Sequence, residues 1–147
     1  MTPVVVDASV SLKWLIDEDG SNLAETLVDS QVALHAPSFL RLEVANALVM
    51  AVRRKGLDPV EVPGLLNLLL ASEVHWHPTA LLDRRAVEIA LETGTTVYDA
   101  AYLALAEVLG ADVVTADARL VGRLRGAKYE LRAVVLSEWA GVRDAGR

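Results

Sequence analysis

Cysteine is absent from the 147-residue chain. That excludes disulfide staples and thiolate zinc ligands, and it accords with a reducing compartment. Long apolar runs are missing too: stretches such as Leu68 to Ala71 are far shorter than the roughly 18 residues a membrane span needs. Met1-Thr2-Pro3 lacks the positive charge that opens a secretory signal. A soluble cytoplasmic protein is therefore expected. Basic residues are outnumbered, 14 Lys and Arg against 20 Asp and Glu, for a formal charge of -6. A generally basic nucleic-acid-binding surface is thereby excluded. Nucleic acid itself is not, since Mg²⁺ can neutralise clustered acids and a local basic patch still grips phosphates. The chain also has no G-x-S-x-G elbow, glycine-rich dinucleotide fingerprint or P-loop, which removes serine-hydrolase, Rossmann and P-loop chemistry. Without an internal repeat, low-complexity tract or linker, residues 1–147 read as one domain, with only the stretch from Gly141 placed to fray.

Apolar side chains are in surplus: 53% of residues, with a mean hydropathy of +0.35, against about 45–50% in an ordinary soluble domain. Part of that surplus should face a partner. Short β-branched runs alternate with helical stretches. Strands are expected near Pro3 to Val6, Val32 to Ala36, Val74 to His77, Asp112 to Thr115 and Ala133 to Leu136. Helices are expected near Ser9 to Ile16, Leu23 to Ser30, Ser38 to Lys55, Leu65 to Ala71, Ala80 to Thr93, Asp99 to Leu109 and Ala118 to Leu124. Gly56 and Gly110 supply stops, and Asp58-Pro59 a fresh cap. This alternation specifies an α/β fold with a parallel sheet.

The acids carry the chemistry. Asp7 follows Val4-Val5-Val6 where a buried strand runs into a helix, and Asp117 repeats the arrangement after Val113-Val114-Thr115. Asp99 opens an almost wholly apolar helix. Each of the three could simply cap its helix. Glu43 breaks that explanation, because it lies past the expected helix start among Leu40, Val44, Ala45, Ala47 and Leu48. Asn46 is one turn along on the same side, so the pair should face a polar cleft. Strand-end acids in an open parallel sheet share a crevice. Packed together they repel unless cations intervene, and hard oxygen donors select Mg²⁺ or Mn²⁺.

Weaker candidates remain. His75 and His77 share a strand face and could chelate, but no third ligand is near in sequence, and His35 reads as a strand-end residue. Arg119, Arg123, Arg125, Lys128 and Arg132 gather beside Asp117, either as solvated surface or as a phosphate track.

Together these residues resemble the PIN-domain nucleases, in particular the VapC-like toxins of toxin-antitoxin pairs, over nearly the whole chain. Asp7 in V-V-V-D-A-S, Glu43 in L-R-L-E-V-A-N-A-L, Asp99 in Y-D-A-A-Y-L-A-L-A and Asp117 in V-V-T-A-D match the family's four acids. Ser9 and Thr115 stand where the family often has hydroxyls near the metal, and Asn46 matches a frequent polar neighbour of the second acid. The resemblance implies a three-layer α/β/α sandwich with a central, mostly parallel sheet. It also implies cleavage of RNA with one or two Mg²⁺ or Mn²⁺ ions held by Asp7, Asp99 and Asp117, a homodimer, and inhibition by a cognate antitoxin. Single-stranded or looped RNA is the expected substrate, because a duplex cannot splay into a cleft. Glu43 is left either as a ligand or as the group that orients water.

Rival readings fit less well. A haloacid-dehalogenase-like phosphatase needs D-x-D, and this chain has Asp7-Ala8-Ser9. A phosphoreceiver needs paired acids after its first strand and a lysine after a late one, but Ser137, Glu138 and Trp139 stand there. The stronger alternative is a binding module whose acidic pocket docks a basic partner without turnover.

Overall fold

Valine builds the centre of the sheet. In β1 (Thr2–Val6) the consecutive Val4, Val5 and Val6 point to alternate faces. All three are at most 4% exposed, so both faces are covered. The computed structural model describes residues 1–127 and 132–139. Within them β2 (Val32–Pro37), β3 (His75–His77), β4 (Asp112–Thr115) and β5 (Ala133–Val135) complete a five-stranded sheet of order β3-β2-β1-β4-β5. Every neighbouring pair is parallel, so the sheet is wholly rather than mostly parallel. Flanking helices give the three-layer α/β/α architecture. Val5 registers with His35 on one side and Val113 on the other.

The helices are α1 (Ala8–Ser11), α2 (Ser21–Asp29), α3 (Leu40–Arg53), α4 (Val62–Leu70), α5 (Asp83–Thr93), α6 (Val97–Leu109) and α7 (Ala118–Arg123). Several boundaries differ from expectation: α4 starts at Val62 and not Leu65, α5 starts at Asp83 after a 3-10 turn at Thr79–Leu81, and three others have an identifiable cause. The helix expected over residues 9–16 stops after α1 and tightens into a 3-10 turn at Leu12–Trp14, where Trp14 Nε1 donates to Ala24 O at 2.8 Å and ties the turn to α2. Helix α3 starts at Leu40, because Pro37 still belongs to β2 and the Ser38 N–H is spent on His77 O at 2.8 Å. Helix α6 starts at Val97, because Thr96 is its cap.

Helix α6 is the hub. Its residues from Ala100 through Ala106 are buried, and it packs on α5 and on β1, β2 and β4. Arg85 of α5 forks onto Glu107 of α6 at 2.7 and 3.0 Å. The helix ends as expected at Gly110, whose φ of 62° admits the left-handed turn that lets Ala111 N–H reach Ala106 O at 2.9 Å. Helices α3 and α4, apolar on most sides, pack on each other yet leave Leu42 75% and Leu68 61% exposed. From β1 the chain moves outward through β2 to β3, then crosses to β4 and β5 on the other side. The connections therefore diverge at the carboxyl ends of β1 and β4, which opens a crevice there.

Candidate active site

Asp7 sits at that point of divergence. It is the N-cap of α1, with Oδ1 accepting from Val10 N at 3.1 Å and from Ser9 Oγ at 2.5 Å. Its second oxygen, Oδ2, accepts a short bond from Thr115 Oγ1 at the end of β4. Capping and site-building are thus both true of Asp7, one for each oxygen. Thr115 in turn accepts from Asp117 N at 3.0 Å, and Ser9 Oγ accepts from Ala116 N at 2.9 Å. The two hydroxyls stitch the end of β4 to the start of α1. Asp117 caps α7 through Arg119 N at 2.9 Å.

The other two acids arrive on helices. Asp99 does not cap α6. It lies in the first turn, where its N–H donates to Thr96 Oγ1 at 3.1 Å, and its carboxylate is left to the crevice. Glu43 lies in the first turn of α3, not beyond it as the sequence implied. Its carboxylate caps nothing: Oε1 accepts from Tyr102 Oη at 2.5 Å. Asn46, the expected companion of Glu43, is exposed one turn on.

Electrostatics bind the group together. Burial, and then the charge of Asp99, push the Asp7 carboxyl up, against the pull of Ser9, Thr115 and Val10. Glu43 is raised by burial and by Asp7 and Asp99, with Tyr102 opposing. Burial and Asp117 raise Asp99 while Thr96 and Arg123 lower it. Burial and the neighbouring acids also raise the Tyr102 phenol, so it stays protonated and donates. Burial is the largest cause of each rise, and the lesser share from neighbouring carboxylates is a negative field that an added cation would relieve.

Donor chemistry decides whether a metal fits. The groups meeting here are carboxylate and hydroxyl oxygens, which suits a hard divalent ion. Among the described residues no three acid or imidazole side chains converge to enclose an ion unaided. Magnesium fits that arrangement, because it is habitually held by one or two carboxylates and keeps several waters. Asp7, Asp99 and Asp117 could hold such an ion, directly or through its waters.

Basic groups border the acids unevenly. Arg119 Nε lies 3.5 Å from Asp117, and an Arg123 guanidinium nitrogen 3.9 Å from Asp99. Arg125 and Arg132 are exposed, and Lys128 lies outside the described residues. A shallow cavity of about 390 Å³ between Ser9, Lys13, Asp117 and Arg119 adds Lys13, a cation the sequence did not single out. The histidines gather elsewhere: His35 Nδ1 is 2.9 Å from His77 Nε2, and the His35 ring stacks on His75 at 4.8 Å. They bond and stack with one another instead of framing a metal. Two participants had readable signals. Thr96-Val97-Tyr98-Asp99 is the Ser/Thr-x-x-acid cap pattern. Tyr102 carries a hydroxyl into the apolar run Ala100 to Ala106, three residues after Asp99.

Known proteins resemble the chain in sequence and in fold. The PIN domain family matches residues 4–124. Ribonuclease VapC3 of Pyrobaculum aerophilum is 39% identical over 121 residues, 80% of this chain and 91% of that protein. Ribonuclease VapC9 of Mycobacterium tuberculosis is 35% identical over 117 residues, covering 80% of this chain and 87% of its own. In structure, PAE2754 from Pyrobaculum aerophilum is similar with a TM-score of 0.68 and 25% identity, over 99% of this chain and 91% of that one. Mycobacterium tuberculosis VapC20, described as a sarcin-ricin loop cleaving toxin, shares the fold at TM-score 0.62 and 17% identity, over 81% and 93% of the two chains. The chain belongs to the PIN domain family and, within it, to the VapC ribonucleases.

Proposed function

We propose that this ribonuclease is the toxin of a toxin-antitoxin pair, that it cuts single-stranded or looped RNA, and that it does so with one or two Mg²⁺ or Mn²⁺ ions. Residues 1–147 are read as one nuclease domain acting in the cytoplasm. The observation that carries the proposal is the meeting of Asp7 and Thr115 across β1 and β4, with Glu43 and Asp99 in the same electrostatic field.

When bound, a divalent ion supplies positive charge to the phosphate oxygens and eases deprotonation of water. Asp7, Asp99 and Asp117 hold it, and Ser9 and Thr115 fix Asp7 in place. Glu43 keeps Oε2 clear of Tyr102 and orients the attacking water with it. Attack in line at phosphorus breaks the bond to the 3'-oxygen, which leaves as the hydroxyl, and the new end carries a 5'-phosphate. Arg119 and Arg123, at the rim, hold the flanking phosphates, while Lys13 is tied to Glu18 and the Asp19 carbonyl. Asn46 supports the Glu43 side of the cleft.

Two partners follow. Exposed apolar side chains on α3 and α4 support a homodimer. The acid crevice suits an antitoxin that inserts Arg or Lys among the carboxylates in competition with metal. The deciding experiment incubates purified, partner-free protein with an RNA panel in Mg²⁺, in Mn²⁺ and in EDTA. Cuts bearing 5'-phosphates are expected only with metal. Folded protein that binds a basic partner but leaves every RNA intact would instead establish the docking-module alternative.

A further inference from the structure

Tyr102 is 2% exposed, yet its hydroxyl ends on a carboxylate and not on backbone. A buried phenol must find an acceptor, and any core carbonyl would serve. Here the acceptor is Glu43 Oε1 at 2.5 Å, on an acid that shares its field with Asp7 and Asp99. We infer that Tyr102 is a positioning residue: its hydroxyl holds the Glu43 carboxylate in the acid crevice and thereby sets the rate of cleavage without touching RNA.

Three contacts make that strut rigid. Tyr102 and Asp99 are three residues apart on α6 and so share a face, which lets one helix present the third acid and brace the second. Phe39 meets the Tyr102 ring edge-on at 5.3 Å. The carbonyl of Phe39 also accepts from Glu43 N at 3.2 Å, so one residue steadies both the phenol and the backbone of the acid it grips. A glutamate side chain has three torsions to fix, and fixing them before substrate arrives is what a catalytic group requires. Glu43 alone would sweep the cleft.

The inference rests on the reading of Glu43 as catalytic, and the test separates the two. Tyr102→Phe removes one oxygen and keeps the ring against Phe39. Its kcat on RNA should fall about ten- to a hundredfold, the usual cost of losing a supporting partner, with KM within about twofold, as for loss of a transition-state contact. Glu43→Gln should be at least as slow, and the double variant no slower than Glu43→Gln by more than about twofold, because both changes break one unit. A Tyr102→Phe enzyme with wild-type kcat, or losses that multiply in the double variant, would overturn the inference. A Tyr102→Phe chain that does not fold would overturn it equally, by making the hydroxyl a determinant of the fold. Wild-type activity in Glu43→Gln would instead sink the assignment of Glu43 itself.

Discussion

Replacing Asp7 separates its charge from its shape. In Asp7→Asn the amide oxygen can still accept from Val10 N–H, so the cap of α1 survives. The amide nitrogen that replaces Oδ2 can only donate, so the Thr115 bond must reverse, and relief of a buried negative charge offsets that exchange. In Asp7→Ala the cap disappears, which costs about 1 kcal/mol. Thr115, fully buried, then loses its acceptor, and an unmet buried donor costs about 1–3 kcal/mol. Ser9 loses less, because it keeps the Ala116 N–H. The sum is about 2–4 kcal/mol, with relief of the charge favouring the lower end. At about 4 °C per kcal/mol for a chain of this size, the alanine variant should melt about 8 °C or more below wild type. The asparagine variant should stay within about 4 °C. RNA cleavage should fall about a thousandfold or more in both, as for loss of a charged group at the reacting centre. Circular dichroism melts in EDTA, paired with gel assays of RNA cleavage in Mg²⁺, read the two effects separately. An asparagine variant that cuts at the wild-type rate refutes the assignment of Asp7, and one that melts with the alanine variant refutes the division between cap and charge.

Mg²⁺ or Mn²⁺ at a hundredfold excess over Kd should stabilise the fold by about 2.7 kcal/mol, roughly 10 °C. A wild-type melt indifferent to metal, or an equal gain in Asp99→Asn, argues against a shared site. In EDTA the sign of the pH dependence is fixed by three raised carboxyls, Asp7, Glu43 and Asp99. The folded state holds their protons more tightly than the unfolded one, so this stability is complete below the ordinary carboxyl range and is lost as pH rises through the folded values. Asp99→Asn should flatten that loss in urea titrations run across pH, and an unchanged slope contradicts it. The exposed Leu42 and Leu68 lead to a fourth expectation, that sedimentation at micromolar concentration finds a dimer or a bound partner. Bare monomer removes it.

The sequence conveyed the scaffold well because its signals were local. A valine triplet placed β1 and a valine pair β4, Gly110 placed the end of α6, and Asp58 caps where Asp-Pro announced it, through Val60 N at 3.0 Å. What it obscured were choices settled by distant partners. The start of α3 moved because Ser38 bonds to β3, far along the chain. Asp99 lies inside α6 and not at its cap, because Thr96 takes the cap through Asp99 N–H. Tyr102 meets its partner only in the fold, which lays Glu43 against it across 59 residues. The histidines met through strand register, which spacing within β3 alone could not show.

The bond from Thr115 to Asp7 spans 108 residues. Its consequence lies in time more than in space. Synthesis delivers the chain from its amino terminus at about 5–20 residues per second, and β1 is made before its central partner β4, which follows only after α6. Contacts between such distant segments form late and slowly. Until they form there is no junction of strand ends, and Asp7 is only a cap on a four-residue helix. The acid crevice is therefore incomplete until β4 has been made and has paired with β1.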